Sequence, residues 1–349
     1  MSTSAVGPPA PAPVEGARAR RLTEWVFRIR ELGIVVALGL LILVTAILEP
    51  RFIEADSLRN LALNASIFAI LAAGQTLVIV TRNVDLSVGS VLGLSAYFAG
   101  DLLSSNPGLP LPVVFLLGMG LGAVCGLFNG ILVTWGQVPA LVVTLGTLYA
   151  FRGLAFLWTD GSQVNAETLP DAFLDLGTDS ILGVPYLVLI ALVVVLAVGQ
   201  WLRDFRSGRE LYAIGSNPDG ARLAGVRSDR RVLTAFVAAG ALAGLGGVLF
   251  TARFGTVDAT AGVGYELTVI AAAVVGGVAI FGGTGSVYGA ALGALLLGCI
   301  TSSLIVLRVE AFWQQAAIGA LLLIAVALDR FLGLRIDTAL RRRSARRAG

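Results

Sequence analysis

The chain predicts an all-α polytopic membrane protein of about ten transmembrane helices, and three observations predict it. Hydrophobic residues fill 56% of its 349 positions, only 13% are charged, and the mean hydropathy is +0.87, far outside the range of soluble globular domains. Apolar runs recur along the chain, most of them near the ~20 residues a helix needs to cross about 30 Å of hydrocarbon. The arginines, finally, are shared very unevenly between alternate loops.

Residues 1–31 begin with an Ala/Pro-rich stretch that has no apolar run between basic residues and a cleavage site. They are expected to form a disordered cytoplasmic tail rather than a signal peptide. A single membrane domain follows over 32–331, with spans at 32–48, 60–81, 86–100, 112–135, 139–159, 182–202, 232–252, 267–281, 286–307 and 312–331. A basic cytoplasmic tail, 332–349, closes the chain. With both ends inside, 20 arginines face the cytoplasm: five before residue 32, Arg82, seven between Arg203 and Arg231, and seven from Arg330 onward. Only Arg51, Arg59, Arg253 and Arg308 lie outside, and Arg152 falls within a span near its outer end, placed to snorkel or to pair structurally.

The spans at 86–100 and 267–281 are only 15 residues long. Removing the first would throw the arginine-rich loop outside, so it is expected to cross as a broken or protein-shielded segment. Divided five plus five, the chain places these two short, glycine-interrupted segments at the same position in two inverted halves, a pattern that points to a transport site near the bilayer midplane. Gly89-Ser90-Val91-Leu92-Gly93 and Gly285-Ser286-Val287-Tyr288-Gly289 would instead pair spans three and nine, but topology outweighs a five-residue match. Small-residue stripes such as Gly118, Gly120, Gly122 and Gly126, or Gly240, Gly244, Gly246 and Gly247, let helix backbones approach closely in lipid.

Two absences narrow the chemistry. Without lysine the chain has no Walker A motif, so it is no P-loop ATPase and energy from ATP must come from a partner. Without histidine, and with almost no acid in its spans, a proton relay is disfavoured, although coupling to Na⁺ through carbonyls stays open. Cys125 and Cys299 sit in apolar spans as small core fillers.

The polar interruption from Arg203 to Arg231 has the form of a cytoplasmic docking loop. Ser216 or Asn217 can cap a short helix whose first turn holds Pro218 and Asp219, and Gly225 can end it. Within the spans, Asn64, Gln75, Thr76, Asn129, Thr144 and Thr147 offer uncharged hydrogen-bonding groups, suited either to a neutral polar solute or to bonds between helices. Asp85 is placed to cap the third span, with a gating role as the alternative. Outside, residues 160–180 carry Asp160, Glu167, Asp171, Asp175 and Asp179 without a basic residue, which suits either a basic docking partner or ordinary outer-loop composition.

The stretch from Ala72 to Thr81 (AAGQTLVIVT), Asp85-Leu86-Ser87-Val88-Gly89, the Tyr212 to Gly225 loop, Thr260 to Leu267 (TAGVGYEL) and Gly276 to Gly285 (GGVAIFGGTG) together resemble the permease subunits of bacterial ABC importers for ribose and related sugars. The resemblance covers roughly residues 32–332. It implies a transport subunit of the bacterial plasma membrane with no ATPase site or cofactor of its own. It also implies a second permease copy or paralogue, two cytoplasmic ATPase subunits that bind ATP and Mg, and an extracytoplasmic sugar-binding protein. The coupling loop would then comprise Gly215, Asn217, Pro218, Ala221, Arg222, Leu223, Gly225 and Val226, with Ala221 and Leu223 to Val226 in a cleft of the ATPase. The translocation path would draw on Asn64, Gln75, Thr76, Asp85, Asn129, Thr144 and Thr147. Gly208 to Ser216 and Phe312-Trp313-Gln314-Gln315 look most like rhamnose permeases, while carriers of the autoinducer-2 sugar signal are similar. The rival readings are an ion-driven secondary carrier and a membrane receptor or scaffold without transport.

Overall fold

A computed structural model describes residues 15–310 and 312–327, with side chains from residue 32 onward. The basic tail expected at 332–349 lies outside the described residues, as do residues 1–14. The helices run α1 Glu15–Leu48, α2 Ala55–Ile79, α3 Val88–Ser105, α4 Leu111–Thr134, α5 Ala140–Thr159, α6 Asp171–Thr178, α7 Tyr186–Asp204, α8 Arg206–Ser216, α9 Pro218–Leu223, α10 Ser228–Phe254, α11 Tyr265–Val275, α12 Val287–Val306 and α13 Phe312–Ala327. Between α6 and α7 stands a two-stranded hairpin, β1 Ser180–Ile181 and β2 Val184–Pro185, turned at Leu182 and Gly183, both of positive φ. Each expected span overlaps a helix, and among the described residues six helices (α2, α4, α5, α7, α10 and α12) are long and apolar enough to cross a membrane.

Helix boundaries follow local chemistry. Pro110, Pro139, Pro170 and Pro185 stand immediately before α4, α5, α6 and α7, where a missing N–H is harmless and the fixed φ favours initiation. Gly255, at φ 64°, ends α10 in the left-handed conformation typical of a helix stop.

Two expectations change. Residues 15–31, read as part of a disordered tail, belong to the continuous α1. The eighth segment, read as a span over 267–281, is helical only over the 11 residues of α11. At 1.5 Å per residue α11 is about 16 Å long and cannot cross about 30 Å of hydrocarbon by itself. Its end at Gly276 passes into tight turns with positive φ at Gly277, Gly282, Gly283 and Gly285. The third segment is likewise compound: α2 ends at Ile79, residues 80–87 double back beside it in irregular conformation, and α3 begins only at Val88.

The two halves show a matching contact pattern. α2 and α10 are the central helices, with 83% of the most apolar stretch of α2 and 72% of that of α10 buried within the protein, against 28% for α4 and for α7. α4 lies along α10 as α12 lies along α2, and each central helix is followed by an irregular segment and a short helix, α3 or α11. α1 joins the second half by packing on α12, where Thr45 Oγ1 donates to Ser303 Oγ at 3.0 Å.

The α4–α10 contact is a glycine seam. A Cβ at Gly118 would strike Val248, one at Gly122 would strike the Gly240 carbonyl, and one at Gly126 would strike the Phe236 carbonyl. From the other side, Gly240 and Gly244 abut the Gly122 and Gly118 carbonyls. Gly246 and Gly247 lie on a second face of α10, against Leu71 of α2 and the α3 backbone at Leu92 and Ala96. Gly120 belongs to neither face, since a Cβ there meets nothing within 4 Å. Dispersion between closely spaced backbones, rather than a hydrophobic effect absent in lipid, holds such a seam together.

The seam therefore predicts opposite outcomes for two adjacent glycines of α4. Gly122→Ala must force the backbones apart, at about 1–3 kcal/mol as for other overpacked sites. Gly120→Ala is neutral or stabilising by up to about 1 kcal/mol, because alanine is the better helix former. Thermal unfolding of the detergent-solubilised protein should show a lowered midpoint for the first variant only.

Candidate functional site

The polar loop between α7 and α10, expected to hold one short capped helix, contains two helices. α8 follows a sharp corner at Phe205, where Gly208 sits against the backbone of Trp201 and Leu202 in α7. Leu211 and Ile214 bury one side of α8. Glu210 is gripped at both oxygens: Arg206 Nε donates to Oε1 at 2.8 Å and Arg231 Nε to Oε2 at 2.5 Å. Gly215 lies against the Val80 carbonyl and Gly283, leaving no room for a side chain.

α9 has the expected caps. Asn217 is its N-cap, with Oδ1 accepting from Gly220 N at 2.9 Å, and Pro218 occupies the first helical position. At the far end Val226 N donates to Ala221 O and Gly225 N to Arg222 O, the two bonds of a Schellman stop, with Gly225 at φ 80°. The cleft expectation divides along this short helix. Ala221, 5% exposed, and Val226 pack inward with Val78, Ile214, Val232 and Phe236, so they belong to the body of the protein. Arg222, Leu223, Ala224 and Gly225 face outward, and Leu223 is 91% exposed.

The polar residues of the spans gather around the irregular segment that leads into α3. With its oxygen and nitrogen assigned from hydrogen bonding, the Gln75 carboxamide pairs with both backbone groups of Asp85, its nitrogen 3.2 Å from Asp85 O and its oxygen 3.1 Å from Asp85 N. Asp85 Oδ1 accepts from Ser87 N at 2.8 Å and Ser87 Oγ at 2.6 Å, a side-chain turn bond just ahead of α3; the N-cap itself is Ser87, so Asp85 is not the cap expected from the sequence. Asn129 Nδ2 donates to Ser87 Oγ at 2.8 Å, and its Oδ1 is buried with no partner among the described residues. Thr144 Oγ1 donates to Ala140 O at 2.8 Å and lies 3.1 Å from Val84 O. Thr76 and Thr147 donate to carbonyls of their own helices, Ala72 O and Thr144 O. Asn64 stands apart, half-buried nearer the start of α2.

The matching segment of the second half, residues 255–264, is held by Arg152, whose Nη1 donates to Ala259 O at 2.8 Å and to Ala261 O at 2.6 Å. The structural pairing expected of this arginine is therefore with backbone carbonyls. Gly89 and Gly93 of α3 touch this segment at Gly262 and Ala261, so the starts of the two short helices meet inside the protein.

On the opposite surface, residues 160–179 form an ordered cap. Val164 bridges to Val257, and Val164, Leu169 and Phe173 are buried against α3, α4 and α10. Gly177 abuts the backbone at Ala252 and Arg253. Asp160, Glu167, Asp171, Asp175 and Asp179 are all exposed on the outer side of this cap.

The bonds from Arg231, with those from Arg206, hold the Glu210 carboxyl below its ordinary value of 4.5. A carboxylate depressed on folding stabilises fully above its unfolded value and loses that contribution as pH falls through the folded one. Glu210→Gln should thus lower the unfolding temperature at pH 7, with the gap to the parent closing below about pH 4. Thermal scans of both proteins across that range would check it.

A family model described as branched-chain amino acid transport system / permease component matches residues 57–326, from the first turn of α2 into α13. The chain is similar to the autoinducer 2 import system permease protein LsrC of Escherichia coli (strain K12 / DH10B), with 38% identity over 313 residues that cover 90% of each chain. LsrC of Shigella flexneri is 37% identical with the same coverage, and LsrC of Salmonella choleraesuis 38% identical over 90% of this chain and 89% of its own. No solved structure matches. The resemblance carried by the sequence motifs is upheld: this multi-pass membrane protein belongs to the family of branched-chain amino acid transport system permease components.

Proposed function

We propose that the chain forms, with a second permease, the translocation pathway of an ATP-driven importer for a neutral sugar, and that the sugar is an autoinducer-2-type signal delivered by an extracytoplasmic binding protein. The observation that carries this reading is the α8–α9 element. A capped helix of six residues, far too short to be stable alone, is tethered by Ala221 and Val226 while presenting Leu223, 91% exposed, beyond the membrane domain. An exposed leucine at the tip of an arginine-framed cytoplasmic element suits an apolar cleft on a nucleotide-binding partner. ATP and Mg bind in that partner, since this chain has no lysine for a phosphate loop.

The direction of the sequence likeness supports the cargo. The relatives at 37–38% identity carry autoinducer 2 import in their names. The rhamnose reading rests only on the short stretches Gly208 to Ser216 and Phe312 to Gln315, and it finds no counterpart among those names. Both termini are assigned to the cytoplasm by the arginine bias. The acidic outer cap suits a binding protein with a basic docking face, because complementary charge steers encounter and fixes register.

Purification of the tagged chain from native membranes, with its companions identified by mass spectrometry, is expected to recover a Walker-motif ATPase. An ATPase-free preparation would overturn the proposal. Leu223→Glu should reduce the recovered ATPase by tenfold or more, on the order of the loss of one interface hot spot, without affecting membrane insertion. Replacing Asp160, Asp171 and Asp175 together by Asn should slow uptake most at low ionic strength, where steering acts over the longest distance. Uptake of labelled autoinducer-2 that persists in excess L-rhamnose but is competed away by unlabelled autoinducer-2 would assign the cargo.

A further inference from the structure

Arg82 makes a connection that the proposed function does not use. It lies in the turn after α2 at φ 67°, a conformation uncommon for a side-chain-bearing residue. From there its guanidinium reaches α8, 133 positions away in sequence, where Nε donates to Gly215 O at 2.5 Å and Nη2 to Ser216 O at 2.9 Å. These are carbonyls of the last turn of α8, which have no intrahelical partner and carry the negative end of the helix dipole. An arginine fork is the side chain suited to take both at once.

A third segment closes the junction. Gly283 N donates to Val80 O at 2.9 Å, Tyr212 OH to Gly285 O at 3.0 Å, and Ser216 Oγ lies 3.4 Å from Gly283 O. Gly282 and Gly283, both at φ 80°, fit so closely that a Cβ would strike Arg82 and Ser216 respectively. The turn between α2 and α3, the end of α8 and the turn between α11 and α12 are therefore bonded into one unit. One of its three arms leads into the start of α3 and another follows the end of α11, whose own start approaches α3 at Gly89 through Gly262.

We infer that Arg82 is a positioning residue for transport: it fastens the docking element to the turns of both halves, so that movement imposed on α8–α9 by the ATPase reaches α3 and α11 together. This inference rests on the proposed importer reading. Packing of α8 against α7 and α10 keeps the docking element attached without Arg82, so loss of the fork loosens transmission and leaves the assembly in place.

The test uses the complete permease–ATPase complex with the buried Cys125 and Cys299 replaced by alanine. Spin labels are placed at Leu182→Cys and Val263→Cys, exposed positions on the outer hairpin and just before α11. Trapping with Mg-ATP and vanadate should shift the label-to-label distance in this background. In Arg82→Ala the shift should be lost while ATP hydrolysis persists, and Arg82→Lys, which keeps the charge but not the fork, should recover only part of it. An equal shift in Arg82→Ala, or no shift in the background despite hydrolysis, overturns the inference. If Arg82→Ala fails to assemble, Tyr212→Phe with Ser216→Ala removes two other bonds of the junction, and a full shift there overturns the inference as well. A preparation that contains no ATPase at all removes the importer reading itself, and the inference with it.

Discussion

Hydrocarbon offers no partner to a peptide group, so wherever this chain leaves helical conformation inside the membrane another part of the protein must supply hydrogen bonds. Two irregular segments, 80–87 and 255–264, sit against the packed helices, and polar side chains of neighbouring helices bond to their backbone groups. Gln75 pairs with both backbone groups of Asp85, Thr144 reaches Val84, and Arg152 takes the carbonyls of Ala259 and Ala261. These bonds fix the backbone that leads into α3 and α11, whose starts meet at Gly89 and Gly262.

Close packing provides the remaining support. Glycines on two faces of α10 admit α4 on one side and α2 and α3 on the other, so a single helix becomes the axis of the first half. Gly276, Gly289 and Gly293 do the same between α11 and α12. In lipid the gain comes from backbone contact rather than from water release, which is why residues without side chains dominate these seams.

The two aqueous surfaces are built on opposite principles. The outer cap buries Val164, Leu169 and Phe173 and turns five carboxylates outward. The α8–α9 element buries Ala221 and Ile214, presents Leu223, and is secured to the helical body through Arg82 and Glu210.

The sequence by itself located the apolar segments in their order and the caps of α9, because these follow from local hydropathy and short-range capping chemistry. It also located both short segments, since glycine and length are visible in one dimension. It missed that the central loop holds two helices: α8, with arginines at 206 and 209 and a narrow apolar stripe, is amphipathic in a way that a search for membrane spans passes over. Only the tertiary structure decided which polar residues serve which backbone. Gln75 and Asp85 are ten positions apart, and Arg152 and Ala259 more than a hundred, so nothing local in their sequence pairs them. Likewise the inward turn of Ala221 and the reach of Arg82 to α8 depend on how distant turns converge at one end of the bundle, which is a property of its packing and not of any stretch of chain.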